Sequence, residues 1–193
     1  MFNIKKSIIN FIGNIRIYWC GIVLFGHSAY KLRGEHWRDI LNVIQPGDIV
    51  LNAHDNYVSS WFIKGNFGHV GLYVGNNEII HVVTAGILKE DILTFLRADN
   101  AAIVRVKDQS IVPSMIRKAY EQLARGSELE YDYDFNKQNT DQLYCSEFTD
   151  FCTGYLLREG VSKNKKYIFP DDYLIPSGLF DVVWEKEKKY DRS

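Results

Sequence analysis

The sequence predicts an α+β fold from three observations. Short β-type runs cluster in the first two thirds of the chain, clear helical patterns follow, and no repeat or linker divides it. At 193 residues it has the length of one domain, or of one domain with an added element.

Residues 7–26, SIINFIGNIRIYWCGIVLFG, are nearly apolar and follow Lys5 and Lys6. They are expected to form a helix that packs on the domain or a partner, lies in a membrane interface, or spans a bilayer. Asn10, Asn14 and above all Arg16 weigh against the span, because a mid-helix arginine costs about 2.5–3.5 kcal/mol on insertion scales. No small-residue cleavage site follows, which weakens a signal-peptide reading. Residues 1–40 are therefore set apart as a helical extension that could face a membrane or a partner, and residues 41–193 as the domain proper.

QPGDIVLNA (45–53) reads as a turn at Pro46-Gly47 entering a strand. DNYVSSWFIKGNF (55–67) reads as a short helix or loop ending at Gly65-Asn66. HVGLYVG (69–75) and EIIHVVT (78–84) read as two strands joined at Asn76-Asn77, a strong hairpin signal. AAIVRV (101–106) is a further strand. PSMIRKAYEQLARG (113–126) is the clearest helix: Pro113 opens it, Gly126 closes it, and Ile116, Ala119, Tyr120 and Leu123 make its apolar stripe. A second helix is expected from near Tyr144 through CSEFTDFCTGYLL, and FDVVW near the end looks like a late strand.

The composition excludes several classes. Hydrophobic residues make 46% and charged residues 24%, which is ordinary for a globular chain, and the net charge of −1 gives no electrostatic footprint for nucleic acid. Cys20, Cys145 and Cys152 are an odd number without CxxC spacing, which argues against a disulfide framework or a cysteine zinc site. A reducing, cytoplasmic setting is expected, with membrane association possible through the N-terminal segment. No cofactor is implied.

Chemistry is carried by three residues. Cys145 falls in the first turn of its expected helix, where unpaired N–H groups favour a thiolate; Asp141 is a candidate cap and Glu147 a first-turn acid. Taken alone, a cysteine at such a place is more often core, as Cys20 and Cys152 are expected to be. His69 shares a strand face with Gly71 and Tyr73, and Gly71 leaves an open patch beside it. His81 lies on the partner strand. A two-residue loop at Asn76-Asn77 pairs Leu72 with His81 and puts the histidines on opposite faces, whereas a bulge shifts the register by one and brings them to the same face. Catalysis requires the second arrangement. A nucleophilic cysteine, an imidazole base and a group orienting that base would then be complete, against the alternative of a core cysteine and two half-buried strand histidines. A two-histidine metal site is weaker for want of a well-spaced third ligand; His54-Asp55 are the nearest supplement. His27 and His36 lie in a polar stretch and are expected to be solvated.

GDIV, GHVGLYVG, IIH and then YCSEF resemble the NlpC/p60 superfamily of papain-like cysteine hydrolases. The cysteine follows the histidines, which matches the circularly permuted branch containing YiiX-like and lecithin:retinol acyltransferase-like proteins. YDYDF before YCSEF and FPDDYL after it add to the YiiX-like likeness. The similarity spans roughly residues 45–180. It implies a papain-like fold, an antiparallel sheet carrying the histidines packed against the helix carrying Cys145, with that helix terminus docking near Gly71. By position Cys145 is the nucleophile, His69 its base and His81 the orienting residue, where many YiiX-like members have Glu. Tyr144 is a candidate substrate-binding residue, as a donor toward the oxyanion. The implied activity is amide or peptide hydrolysis, with an amide-, ester- or lipid-linked substrate. Lipid acyl transfer or deacylation and an inactive papain-like binding module are the alternatives.

Overall fold

Six strands form one antiparallel sheet in the order β6-β5-β4-β3-β7-β8. They are β3 (Ile49–Ala53), β4 (His69–Gly75), β5 (Glu78–Val83), β6 (Gly86–Asp91), β7 (Asn100–Val106) and β8 (Phe180–Glu185). The computed structural model describes residues 15–17, 23–25, 30–55, 65–126, 131–132 and 142–186. The stretch at 56–64, most of YDYDFNKQNTDQL, His27 and Cys20 lie outside the described residues.

Within the apolar N-terminal stretch, where a helix is expected, the described residues 15–17 and 23–25 are paired strands. β1 (Ile15–Ile17) pairs antiparallel with β2 (Val23–Phe25), in the register Ile15 to Phe25. Branched and aromatic residues suit a pleated ribbon better than a helix, and this outweighs the apolar run as a helical signal. Among the described residues no helix is long and apolar enough to cross a membrane. The division expected at residue 40 falls inside helix α1 (Gly34–Val43), whose Ile40 is fully buried against the sheet. His36, expected in solvent, is half-buried; its Nδ1 accepts the Arg33 N–H at 3.0 Å and helps start that helix.

The pleat sorts the core into two layers. Val50, Tyr73, Ile79 and Ile103 face α1 and the short α2 (Ile92–Phe95), together with Ile40, Ile92 and Phe95. Ile49, Leu51, Val70, Leu72, Ile80 and Val82 face α3 (Val112–Arg125) and α4 (Cys145–Thr153), through Met115, Ala119, Cys145 and Phe148. The buried stripe of α3 is rotated from the expected one. Met115, Ala119 and Gln122 are buried, Ile116 and Leu123 pack at the margin, and Tyr120 is 40% exposed.

The second expected helix is broken. Gly154 adopts φ +79° and Tyr155 φ +68°, a left-handed pair that ends α4 before α5 (Leu156–Glu159) begins. Buried Asp150 bridges the break, accepting the Leu157 N–H at 2.8 Å. The GDIV motif is structural in the same way. Arg105 donates to both carboxylate oxygens of the buried Asp48, at 2.7 and 2.8 Å, and the Gln45 N–H donates to Asp48 at 2.7 Å, fixing the entry to β3.

Candidate active site

Asn76 and Asn77 both take positive φ, +53° and +61°, giving the tight turn that their sequence signals. The ladder of β4 and β5 nevertheless shifts between Tyr73 and Gly75, and Leu72 pairs with Ile80 rather than His81. This is the bulged arrangement that puts the histidines on one face. His69 Nε2 and His81 Nδ1 meet at 2.7 Å. Gly71 lies between them: a Cβ there would stand 3.1 Å from His81 Cβ and 3.0 Å from Ile79 Cδ1. The glycine admits the neighbouring strand, not the α4 terminus, which packs on the opposite layer with Val70 and Leu72.

Phe95 of α2 walls the imidazole pair, with its ring centroid 5.5 Å from that of His69 and 5.1 Å from that of His81. Its carbonyl accepts from Asn52 Nδ2 at 2.9 Å, and Asn52 is the β3 partner of His69. Burial, then the neighbouring His81 and His54, holds His69 well below the usual imidazole range. At neutral pH His69 is therefore uncharged and able to accept a proton.

Sequence reasoning missed one member of this cluster. Glu90 Oε1 lies 3.0 Å from His81 Nε2, off the axis along which that nitrogen would make an aligned hydrogen bond. β6 was not expected as a strand, although its register is readable once the Thr84-Ala85 turn is recognised. Val83 pairs with Gly86, His81 with Leu88 and Ile79 with Glu90, so that Glu90 is the diagonal neighbour of His81.

Cys145 is the first residue of α4, after Tyr144 at φ −98°, ψ 172°. Asp141 lies outside the described residues. The thiol is 7% exposed. Its sulfur is approached by the N–H groups of Val70, Ser146 and Cys145 itself, all of which favour the thiolate. Burial is the larger effect and pushes the thiol above its ordinary range. The helix terminus therefore does not lower the thiol pKa as its position suggests. Cys145 makes no hydrogen bond to a histidine among the described residues; its side-chain neighbour is Ser146 Oγ at 3.9 Å. The fold thus joins the two imidazoles directly and sets the neutral thiol against the backbone of Val70, the residue after His69.

The other motif residues hold this frame. Tyr144 is buried and its hydroxyl accepts the Ile168 N–H at 2.9 Å. Glu147 is buried with Arg158 Nη2 at 3.4 Å, so the first-turn acid has a cationic neighbour. In FPDDYL, Asp171 accepts the N–H groups of Asn66 and Phe67 at 2.7 and 2.9 Å, just ahead of His69. Tyr173 donates to Thr149 of α4 at 2.8 Å, and Asp172 accepts from Ser162 and Lys165 at 2.7 and 2.6 Å. Cys152 is core, 1% exposed.

The histidines are poorly arranged for a shared metal. Two nitrogens on one tetrahedral zinc stand about 3.3 Å apart, given Zn–N of about 2.0–2.1 Å. Here they face each other at 2.7 Å, and no group of three His, Cys, Asp or Glu among the described residues suits an ion.

A sheet-borne histidine pair followed along the chain by a helix-leading cysteine marks the permuted papain-like class. Residues 43–171 match the family described as "permuted papain-like amidase enzyme, YaeF/YiiX, C92 family", and the chain belongs to it. The fold is similar to the crystal structure of the metalloprotein YiiX from Escherichia coli O157:H7, with a TM-score of 0.54 and 15% identity over 74% of this chain and 97% of that one. No curated protein matches.

Proposed function

We propose that this chain is a cysteine amidase working through an acyl-enzyme on Cys145, with His69 as base and His81 orienting it. The observation that carries this reading is the 2.7 Å contact between His69 and His81 on the strand whose Val70 N–H faces the Cys145 sulfur. The raised thiol and lowered imidazole make the resting pair neutral rather than an ion pair. Substrate engagement then drives proton transfer. The Cys145 S–H proton passes to His69 as sulfur attacks the amide carbonyl, and N–H groups at the start of α4 receive the oxyanion. Collapse breaks the C–N bond, and the amine leaves with the proton from His69. Water, giving its proton to His69, then attacks the thioester and releases the acid and the thiol.

A second reading has its own support. The absence of a Cys145–histidine hydrogen bond among the described residues, with the burial of the thiol, favours an inactive papain-like binding module. Lipid turnover, the other alternative, would draw on the apolar N-terminal stretch as a membrane-facing helix, and residues 15–17 and 23–25 of that stretch pair as strands. Acid-quench mass spectrometry after incubation with activated acyl anilides and thioesters separates these readings. An acyl mass on Cys145, absent in Cys145→Ala and slowed in His69→Ala, supports the amidase. Protein that stays unmodified with every acyl donor supports the module.

A further inference from the structure

We propose that Glu90 is a positioning residue that sets the tautomers of both histidines, an inference that rests on the reading of His69 as base. Glu90 Oε1 lies 3.0 Å from His81 Nε2, on a ring that is 4% exposed. Even off the hydrogen-bond axis, a carboxylate oxygen at that distance repels an imidazole lone pair and attracts an N–H, and burial of the ring strengthens the preference. Neutral His81 therefore carries its proton on Nε2 and its lone pair on Nδ1.

The choice propagates across the 2.7 Å contact. With a lone pair on His81 Nδ1, His69 must donate from Nε2. His69 then carries its lone pair on Nδ1, the one ring nitrogen not committed to His81. That nitrogen is the base. Without the carboxylate the opposite arrangement becomes accessible: His81 donates from Nδ1, His69 accepts at Nε2, and His69 Nδ1 carries a proton and cannot take one from a thiol. The acid–base competence of His69 is thus decided two side chains away, on the edge strand of the sheet.

The pair also becomes a route for charge. When His69 holds the thiol proton it becomes an imidazolium, and His81 shares that charge through its Nδ1. Glu90 supplies the counter-charge on the far side. The misaligned 3.0 Å contact is suited to tightening at that stage, as hydrogen bonds of resting active sites commonly do. Among the described residues Glu90 has no ion pair besides the one with His81, and it is partly exposed at 29%, so its substitution leaves the core packing intact.

The test is imidazole nitrogen NMR on the full chain, labelled at histidine, for wild type, Glu90→Gln and Glu90→Ala at pH 7.5. The expected result is the Nε2–H tautomer at both histidines in wild type, and a shift toward Nδ1–H at both in Glu90→Ala. Glu90→Gln retains an acceptor oxygen and is expected to keep most of the wild-type tautomer. In steady-state kinetics on an acyl anilide, Glu90→Ala lowers kcat about tenfold or more with KM little changed, a part of the about 10²–10⁴-fold that a general base supplies. Glu90→Gln recovers most of that loss. Unchanged tautomers in Glu90→Ala overturn the proposal whatever the kinetics. A tautomer shift in a protein whose wild type has no amidase activity upholds the positioning role and rejects the amidase reading instead.

Discussion

Asp171 reaches from the segment after the Cys145 helix to the backbone before His69, accepting the Phe67 N–H at 2.9 Å and the Asn66 N–H at 2.7 Å. The residues on either side of it grip the surroundings of Cys145: the Ile168 N–H donates to Tyr144, and Tyr173 donates to Thr149. One short stretch, 168–173, therefore fixes the His69 strand and the Cys145 helix to a common reference. Asp171→Ala removes two charge-assisted acceptors, and the expected cost is about 1–3 kcal/mol. Urea unfolding measures that cost, and hydrogen exchange should show the Phe67 amide losing protection before the sheet does.

Tyr144 is better understood as part of this clamp than as an oxyanion donor. Tyr144→Phe leaves the Ile168 N–H without its acceptor in a buried place, at an expected cost of about 1–2 kcal/mol. The measurement that checks this pairs a thermal melt with kcat. A lowered Tm with kcat nearly unchanged fits the clamp, whereas a large loss of kcat at unchanged Tm assigns the hydroxyl to the reaction.

The Cys145 thiol is expected to alkylate slowly at neutral pH. Burial raises both Cys145 and Cys152, so iodoacetamide labelling of each should rise only above the ordinary thiol range, with Cys152 the slower. Peptide mass spectrometry across a pH series checks this. Because the resting pair is neutral, His69→Ala should change that profile little, although it should slow acylation by substrate. Fast labelling of Cys145 near neutrality that disappears in His69→Ala would instead reveal a preformed thiolate–imidazolium pair.

The pH dependence follows from His69. Its folded pKa lies below the ordinary 6.5, so kcat/KM should hold down through pH 6.5 and fall only at more acid pH. Stability has a matching signature. Below pH 6.5 the unfolded chain binds a proton at this position that the folded chain refuses, so stability falls as pH drops from 6.5 to the folded pKa. The slope is at most about 1.4 kcal/mol per pH unit. His69→Leu should flatten it, as read by urea midpoints from pH 7 to pH 5.

Much of this arrangement is legible from local patterns. The Asn76-Asn77 turn, alternation along β4 and β5, Pro113 and Gly126 around α3, and the start of the Cys145 helix all follow from residue-level preferences. Register is conditional on the turn: the histidines can meet only through a bulge, and the bulge is present. Three features escaped for identifiable reasons. The thiol shift depends on how deeply α4 is buried, which no local window contains. Glu90 reads as one charge in the solvated run Lys89-Glu90-Asp91, and only the pairing of β6 with β5 turns it toward His81. The residues at 15–17 and 23–25 looked helical because a continuous apolar run has no period to distinguish the two states.

The chain order has a consequence for synthesis on the ribosome. The strands bearing His69 and His81 emerge first, and Asp171 follows His81 by about 90 residues. At about 5–20 residues per second, this separates them by roughly 5–20 s. For the part of that interval before Cys145 emerges, the nascent chain can hold a paired-imidazole hairpin without its cysteine. The permuted order thus withholds Cys145 until well after the histidine strands have been made, and the brace at 168–173 and strand β8 follow it.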